Sequence, residues 1–125
     1  MLETIHLPRL TSVGEYLWIG GIGALTNLDG LESLTSVGDL RIVGNAALTN
    51  VDGLESLTTV SSSLSIVDND ALTNIDGLAS LTSVGGHPYI ASNTTLCQSL
   101  VDAFVDALVA LGWQGAATMF ANADC

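Results

Sequence analysis

The chain contains very few basic residues. Arg9 and Arg41 are the only Lys or Arg among its 125 residues, against 13 Asp and Glu, which gives a formal net charge of -11. A surface with this charge repels phosphate backbones and anionic lipid headgroups. We therefore expect neither nucleic acid nor a membrane surface to be a partner.

Residues and motifs that commonly carry catalysis are also scarce. His6 and His87 are the only imidazoles, and the chain has no G-x-S-x-G elbow, no H-E-x-x-H pair and no glycine-rich phosphate loop. Charged residues amount to only 12%. The surface must therefore consist largely of Thr, Ser, Asn and Gly, which is unusual for an enzyme. The sequence predicts no enzyme activity, no catalytic residue and no cofactor.

No segment is long and apolar enough to predict a membrane span. The longest apolar stretch, residues 100–113, is interrupted by Asp102 and Asp106. The N-terminus has neither the basic start nor the continuous apolar run of a secretory signal. Either the chain acts in the cytosol or a leader has been removed from it.

Cysteine occurs twice, at Cys97 and Cys125, which bracket the C-terminal segment. Two cysteines placed in this way predict one disulfide, which favours an oxidising compartment. A pair of free thiols is the alternative.

What the chain has in abundance is repetition. Four rows, residues 7–30, 31–53, 54–77 and 78–96, align with a period of 23 to 24 residues. The shared pattern reads L-x-x-L-T-x-V, then L-x-I, then a turn with Asn, then L-T-N, an apolar residue and D-G. A fixed period of this length is typical of repeat architectures, so residues 1–125 are expected to form one repeat domain.

The repeat predicts strands. The L-x-I pair alternates with the two-residue period of a β-strand, and Gly, Asn or Ser interrupts every longer stretch, so each row is expected to form three short strands or extended segments. Rows stacked about 4.8 Å apart would bury equivalent residues in continuous columns. The predicted columns are Leu10, Leu34, Leu57 and Leu81; Val13, Val37, Val60 and Val84; and Ile19, Ile42, Ile66 and Ile90. The result would be a mainly β fold, a β-solenoid of about four turns.

Polar residues recur at the predicted corners. Asn45, Asn69 and Asn93 share one slot, where a buried amide could bond the backbone of neighbouring rows, and the first row has Ile22 there. A second set is formed by Asn27, Asn50 and Asn74. The Asp-Gly pairs that begin at Asp29, Asp52 and Asp76 predict corners at which Gly adopts a positive φ.

The segment LTSVGDLRIVGNAALTNVDGLESL resembles the receptor L domain of growth-factor receptors, and also bacterial surface proteins with leucine-rich repeats of the same kind. The resemblance covers residues 7–96 and implies a right-handed β-helix or leucine-rich solenoid that binds a ligand rather than catalysing a reaction. Together with the predicted disulfide, it implies an extracellular or cell-surface location. Two features depart from the family pattern: Pro88 replaces the Leu of L-x-I in the last row, and the second row is one residue short near Asp39.

A C-terminal cap is expected over residues 97–125, because an open last row would expose the core and unpaired strand edges. Ser99 and Asp102 resemble a capping box at a helix start, and Gly112 suits a left-handed helix stop. One helical face, predicted to cover the last row, carries Leu100, Phe104, Leu108 and Leu111. After the helix, the sequence AATMFA predicts a short strand.

The N-terminal end shows no equivalent cap, and residues 1–6 are expected to form an incomplete turn. Three interpretations remain open here. Residues 1–6 fold over the first row as an irregular cap, two chains pair end to end as a homodimer through this edge, or the chain is a fragment of a longer array.

The outward positions beside the L-x-I strand vary most between rows and are the candidate ligand-binding residues. They are Tyr16 and Trp18, Asp39 and Arg41, Ser63 and Ser65, and His87 and Tyr89. Exposed aromatic residues and Arg dominate contact energies, and repeat proteins commonly bind on such a strand face. We predict a recognition or adhesion module whose ligand is a protein or a glycan. One alternative is packing, with Tyr16 and Trp18 against the N-terminal residues and Tyr89 against the C-terminal helix; another is a structural unit that self-associates through its N-terminal end.

Two other surface patterns have weaker functional interpretations. Outward threonines could bind ice, although solvated strand positions also explain them; they are Thr11, Thr35, Thr58 and Thr82, and Thr26, Thr49 and Thr73. Stacked acidic residues could favour Ca²⁺, although Asp before Gly usually bonds its own turn; they are Asp29, Asp52 and Asp76 with Glu32 and Glu55. Residues 68–70 lack the remaining ligands of a calcium loop. No metal site is predicted.

Overall fold

The fold is mainly β, with one sheet of seven strands and one α-helix in the part of the chain that the structure describes. The structure is a computed structural model, and it describes residue 7, residues 9–115 and residues 117–125. The predicted incomplete turn of residues 1–6 lies outside the described residues. In chain order the elements are β1 (Ser12–Gly20), β2 (Ser36–Val43), β3 (Thr59–Val60), β4 (Leu64–Val67), β5 (Ser83–Val84), β6 (Pro88–Ala91), α1 (Gln98–Ala110) and β7 (Thr118–Phe120).

The strands pair in parallel, and equivalent residues of successive rows are partners. Leu17 pairs with Leu40, Leu40 with Leu64, and Leu64 with Pro88. The shorter strands β3 and β5 continue the pairing, because Val37 lies opposite Val60 and Val60 lies opposite Val84. Strand β7 joins β6 at the far side of the sheet. The sequence period therefore equals the offset between paired strands.

The missing residue of the second row produces a bulge between β1 and β2. Val13 pairs with Val37, but the next pair is Tyr16 with Asp39, so Gly14 and Glu15 face the single residue Gly38. A Cβ atom on Gly38 would overlap the carbonyl oxygen of Glu15. Glycine is required at this position because the bulged backbone approaches so closely.

The core includes the predicted columns and further buried apolar residues of the same rows. Leu34, Leu57 and Leu81 are buried, as are the valines and isoleucines at the equivalent positions of the second to fourth rows. In the first row, Leu10 and Val13 are only partly buried, whereas Ile19 is buried. Burial of a Leu or Ile side chain stabilises a fold by about 1.5–3 kcal/mol, so these columns are a major source of stability.

The Asp-Gly corners are short 3-10 helices, and the expected positive φ at their glycines is wrong. These turns cover Asp29–Leu31, Asp52–Leu54 and Asp76–Leu78. Positive φ occurs at other residues. Glycine is needed here for proximity, because a Cβ on Gly53 would overlap the carbonyl group of Leu28, and one on Gly77 that of Val51.

The second set of asparagines holds these turns from outside. The side-chain oxygens of Asn27, Asn50 and Asn74 accept hydrogen bonds from the backbone N–H two residues later, at 3.1, 3.0 and 3.1 Å. The donors are the Asp residues of the Asp-Gly pairs. The Asn side chain thus fixes the entry to each turn, a role that short amide side chains commonly take.

The first set of asparagines forms a fully buried ladder, as the sequence predicts. Asn45, Asn69 and Asn93 have no solvent exposure. Nδ2 of Asn69 donates to the carbonyl oxygen of Ile42 at 2.9 Å and to Oδ1 of Asn93 at 3.2 Å. The first row enters the ladder through its backbone, because the N–H of Ile22 donates to Oδ1 of Asn45 at 3.2 Å. Amide groups suit this position because each buried donor and acceptor requires a partner.

A left-handed residue precedes every position of the ladder. The five residues are Gly21 with a φ of 66°, Gly44 with 72°, Asp68 with 59°, Ser92 with 58° and Ala121 with 58°. The last one precedes Asn122, which extends the ladder beyond the repeat, since Asn93 donates from Nδ2 to Oδ1 of Asn122 at 3.1 Å. The left-handed corner of each row therefore lies directly before the ladder position.

The start of α1 differs from the expected capping box. The N-cap residue is Cys97, and it makes no side-chain cap hydrogen bond. Asp102 accepts a hydrogen bond from Nε2 of Gln98 at 3.0 Å. The first helical N–H groups donate to the C-terminal backbone instead, from Gln98 to Ala123 at 2.8 Å and from Ser99 to Cys125 at 3.0 Å. The chain end takes the place of a capping side chain because the Cys97–Cys125 disulfide holds it there.

The helix buries only part of the predicted face. Leu108 is buried and Phe104 is partly buried, as predicted, whereas Leu100 and Leu111 are 38% and 58% exposed. Val101, which the prediction omitted, is also buried. None of the helices in the described part of the chain is both long enough and apolar enough to span a membrane.

The end of α1 and the following strand agree with the sequence prediction. Gly112 has a φ of 99°, and the N–H groups of Gly112 and Trp113 donate to the carbonyls of Val109 and Leu108 at 2.9 and 3.0 Å. This pair of bonds is a Schellman motif. The chain then forms β7 within the predicted AATMFA segment, and Met119 pairs with Ile90.

Candidate functional site

The eight candidate ligand-binding residues lie together on the outer face of the sheet, and we call them the outer strip. They are Tyr16, Trp18, Asp39, Arg41, Ser63, Ser65, His87 and Tyr89. One line of register partners crosses the sheet from Trp18 through Arg41 and Ser65 to Tyr89. Parallel pairing of equal row positions therefore assembles residues that are far apart in the sequence.

A second line runs beside the first. Tyr16 pairs with Asp39, and the backbone carbonyls of Ser63 and His87 accept hydrogen bonds from Leu40 and Leu64 at 3.0 and 3.3 Å. These bonds hold the segments that contain Ser63 and His87 in register with the preceding row. The outer strip is thus fixed by the backbone of four neighbouring rows.

The tyrosine and tryptophan of the first row are exposed. Tyr16 is 62% and Trp18 is 65% exposed, so the packing alternative does not bury either side chain among the described residues. Contacts with residues 1–6 lie outside the described residues. The indole of Trp18 lies across Gly20, where a Cβ atom would overlap its Nε1. Gly20 gives the indole room to lie against the strand.

Tyr89 lies at the opposite end of the outer strip. Its ring contacts Phe120 of β7, with ring centroids 5.8 Å apart and an angle of 83° between the ring planes. This edge-to-face contact stabilises the orientation of both rings. In the packing alternative Tyr89 rests on the C-terminal helix; the ring contact that the structure describes is with the strand after the helix, and Tyr89 keeps 37% exposure.

The single ion pair among the described residues lies in the middle of the outer strip. An Nη atom of Arg41 contacts Oδ2 of Asp39 at 3.2 Å. The other carboxylate oxygen, Oδ1, is buried and has no hydrogen-bond partner among the described residues. Such an acceptor is costly to leave unsatisfied. Exposed pairs of this kind contribute at most about 1 kcal/mol to stability, so the pair mainly orients the guanidinium group.

A shallow, open depression of about 670 Å³ occupies the outer strip between Arg41 and Tyr89. Its lining is formed by Arg41, Val43, Ser63, Ser65, Val67, His87, Tyr89 and Thr118. A smaller one, of about 200 Å³, lies between Tyr16, Trp18 and Arg41. The two share Arg41, so the available surface continues along the strip from one aromatic end to the other.

Sequence reasoning missed three of the lining residues. Val43 and Val67 stand two positions after Arg41 and Ser65 on the same strands, and the alternation of strand side chains was a usable signal for them. Thr118 lies on β7, beside Tyr89. Nothing in the repeat predicts that residue, because β7 lies outside the repeated rows.

The structure also describes the acidic residues and the threonines that the sequence suggested for calcium or ice binding. No group of three or more His, Cys, Asp or Glu residues within the described ranges is arranged to hold a metal ion. The exposed threonines use their hydroxyl groups along the stack: Oγ1 of Thr58 donates to the carbonyl of Thr35 at 3.1 Å, and Oγ1 of Thr73 to that of Thr49 at 3.1 Å. The threonine rows therefore have a structural explanation in these bonds along the stack.

Neither a protein-family model, nor a curated protein, nor a solved structure matches this chain.

Proposed function

We propose that this protein is a non-catalytic recognition or adhesion module that binds a protein or a glycan through the outer strip. The observation that carries the proposal is the alignment of exposed Trp18, Arg41 and Tyr89 along one line of register partners. Aromatic residues and Arg contribute most to binding energy at recognition surfaces. A rigid parallel sheet holds them in fixed relative positions, which lowers the entropy cost of binding.

The proposed architecture is a right-handed β-solenoid of about four turns, similar to a receptor L domain. The parallel pairing of equivalent row positions and the buried Asn ladder support it. An extracellular or cell-surface setting is part of the proposal. The disulfide between Cys97 and Cys125 supports that setting, because disulfides persist in oxidising compartments.

The chemistry of the outer strip favours binding over catalysis. Activation of a serine nucleophile requires a base within hydrogen-bonding distance. Among the described residues, the backbone carbonyl of His87 accepts a hydrogen bond from Leu64, and that of Ser63 from Leu40. We propose no catalytic residue, no cofactor and no metal for this surface.

A paired set of variants tests the outer strip as a binding surface. The test variant is Trp18→Ala with Arg41→Ala, and the control is Val109→Ala with Asp106→Ala, which also removes one exposed apolar and one charged side chain. Each protein is probed with a displayed random-peptide library and with immobilised neutral and acidic oligosaccharides. We expect probes that the unaltered protein and the control retain to be lost from the test variant.

The opposite result would reject the proposal. If every probe that the unaltered protein retains is also retained by the test variant, or if no probe of either class is retained, the outer strip is not a recognition surface. Circular dichroism of all three proteins separates loss of binding from loss of folding.

Self-association is the second candidate function, and one observation favours it. On the edge away from β2, β1 pairs with none of the residues that the structure describes. Unpaired strand edges readily pair with another chain. Sedimentation velocity at increasing protein concentration tests this candidate: a concentration-dependent dimer that persists in the Trp18→Ala and Arg41→Ala variant supports it, and a monomer at all concentrations rejects it.

Ice binding is the minor alternative, and the threonine geometry argues against it. Each hydroxyl described above donates to a carbonyl in the preceding row instead of pointing to solvent as a free donor. We expect no thermal hysteresis in solution. Measurable hysteresis that disappears in Thr58→Val would favour the ice-binding alternative.

A further inference from the structure

The geometry points to a neutral oligosaccharide as the ligand of the outer strip, lying across the strands and stacked on Trp18 at one end and on Tyr89 at the other. This inference rests on the proposed recognition function and narrows the ligand to one chemical class. It follows from the charge, the aromatic positions and the groups between them.

Charge disfavours acidic ligands at this surface. The net charge of -11 repels sulfated and carboxylated glycans. Arg41, the one cation of the outer strip, is already paired with Asp39. A guanidinium and carboxylate held side by side present donors and acceptors with little net charge, and neutral hydroxyl groups match that combination.

Trp18 has the surroundings of a stacking platform. Its indole lies across Gly20 and is 65% exposed, so the ring is supported from below and open to solvent. An aromatic face carries partial negative charge and attracts the partially positive C–H groups of a sugar ring. Any side chain larger than that of Gly20 would lift the indole off the strand and remove this support.

Tyr89 provides the second platform at a suitable distance. The path from Trp18 to Tyr89 crosses β2 and β4, so the two residues are three strand spacings apart. At about 4.8 Å per spacing this distance is roughly 14 Å, comparable to about three linked pyranose rings. Because Phe120 packs against Tyr89, the second ring is also held in one orientation.

The surface between the platforms suits a chain of sugars. Ser63, Ser65 and Thr118 contribute small hydroxyl groups to the depression, and Val43 and Val67 contribute apolar area. A sugar ring has the same two kinds of surface, with hydroxyl groups at the rim and C–H groups on the faces. Oligosaccharide sites combine apolar contact with a few placed polar groups in this way.

The same features fit a protein partner less well. A standard protein interface buries about 800 Å² on each side around a desolvated apolar centre. The centre of the outer strip carries two serines and an ion pair, and the aromatic residues lie at its two ends. That distribution fits a narrow ligand that spans the two ends.

Fluorescence titration with defined sugars tests the inference. Trp18 and Trp113 are the two tryptophans, so Trp113→Phe leaves Trp18 as the reporter. The probes are neutral glucose and N-acetylglucosamine oligosaccharides of increasing length, with sulfated oligosaccharides of the same lengths as the charge control. We expect a blue shift of Trp18 emission for neutral chains, with affinity that rises with length until the chain spans both platforms and then levels off.

Three further variants locate the site. Trp18→Ala in the protein that keeps Trp113, and Tyr89→Ala in the reporter protein, are expected to weaken binding at least about ten-fold, measured by calorimetry, because each removes one stacking surface. Tyr89→Phe keeps the ring and should change affinity less than about two-fold. Gly20→Val should weaken binding as much as Trp18→Ala, because it displaces the indole without removing it.

The outcomes separate this inference from the proposed function. If peptides or sulfated sugars bind through Trp18 and neutral sugars do not, the ligand class is wrong and the recognition function stands. If neutral sugars bind equally well to Trp18→Ala and Tyr89→Ala, the stacking site is wrong. If no probe of any class depends on the outer strip, both proposals fail.

Discussion

The backbone N–H and the side-chain Nδ2 of Asn45 both donate to the same atom, Oδ1 of Asn69, at 3.1 and 3.2 Å. The identical pair of bonds joins Asn69 to Asn93 and Asn93 to Asn122. Each amide oxygen thus satisfies two donors of the preceding row. Removal of one amide leaves a buried N–H group of its neighbour without a partner.

Asn69→Ala is therefore expected to lower the free energy of unfolding by about 3 kcal/mol, since several buried groups lose their partners together. The matched control is Asn74→Ala, which removes a partly exposed amide that accepts one hydrogen bond, from Asp76. It should cost about 1 kcal/mol. Urea unfolding measures both; equal costs for the two variants would contradict the importance of the ladder.

Gly53→Ala is expected to destabilise the protein by about 3 kcal/mol or to prevent folding, because the new Cβ overlaps the carbonyl of Leu28. Gly23→Ala is the control, since no atom of the described residues beyond its chain neighbours lies within 4 Å of its Cβ position. That control should be neutral or slightly stabilising. A thermal midpoint of Gly53→Ala close to that of Gly23→Ala would show that the rows are not in close contact at this corner.

Ala121→Gly is expected to stabilise the protein by about 0.5 kcal/mol. The left-handed conformation of Ala121 costs about 1–2 kcal/mol, and this relief exceeds the entropy that Gly adds to the unfolded chain. Ala46→Gly is the control, because Ala46 does not have a positive φ. It should destabilise by a similar amount, so chemical unfolding should give opposite signs for the two variants.

The helix face can be tested with two adjacent residues. Val101→Ala should cost about 2 kcal/mol because its side chain is fully buried, and Leu100→Ala should cost less than about 1 kcal/mol because its side chain is exposed. Denaturant unfolding of both variants measures the difference. A larger cost for Leu100→Ala would contradict the burial of Val101 as the main apolar contact at the start of the helix.

Removal of the disulfide by Cys97→Ser with Cys125→Ser should lower the stability by about 3.5 kcal/mol, because the bond closes a segment with a sequence separation of 28. A reducing agent should lower the thermal midpoint of the unaltered protein and leave that of the double variant unchanged. Equal midpoints of the two proteins in oxidising buffer would show that the bond does not form.

The core columns and the asparagine ladder could be predicted from the repeat, because residues at equivalent positions of successive rows stack directly on one another. Burial of Leu34, Leu57 and Leu81 and the ladder of Asn45, Asn69 and Asn93 were predicted from spacing alone and are confirmed. The grouping of the outer-strip residues on one face could also be predicted, since these residues occupy equivalent positions in successive rows. Its use as a binding surface stays a prediction.

Several errors lie outside the repeated rows. Leu100 and Val101 are adjacent apolar residues, and Val101 is the buried one. The first helical turn bonds to the chain end, a long-range contact that helical spacing does not reveal. The left-handed corners were missed because Ser92 and Ala121 carry no glycine signal. Thr118 and Phe120 reach the outer strip through β7, which has no counterpart in the rows.

The bonds between rows pass through the backbone and the ladder amides. Each row from the second to the fourth carries its own core residues, ladder amide and outer residues, so an added row lengthens the core and the outer strip together. Insertion of a second copy of residues 54–77 would add one strand between Arg41 and Tyr89 and increase their separation by about 4.8 Å. The number of rows would then set the distance between the two aromatic ends of the outer strip. In a protein that spans its ligand from one aromatic end to the other, gene duplication alone would change the preferred ligand length.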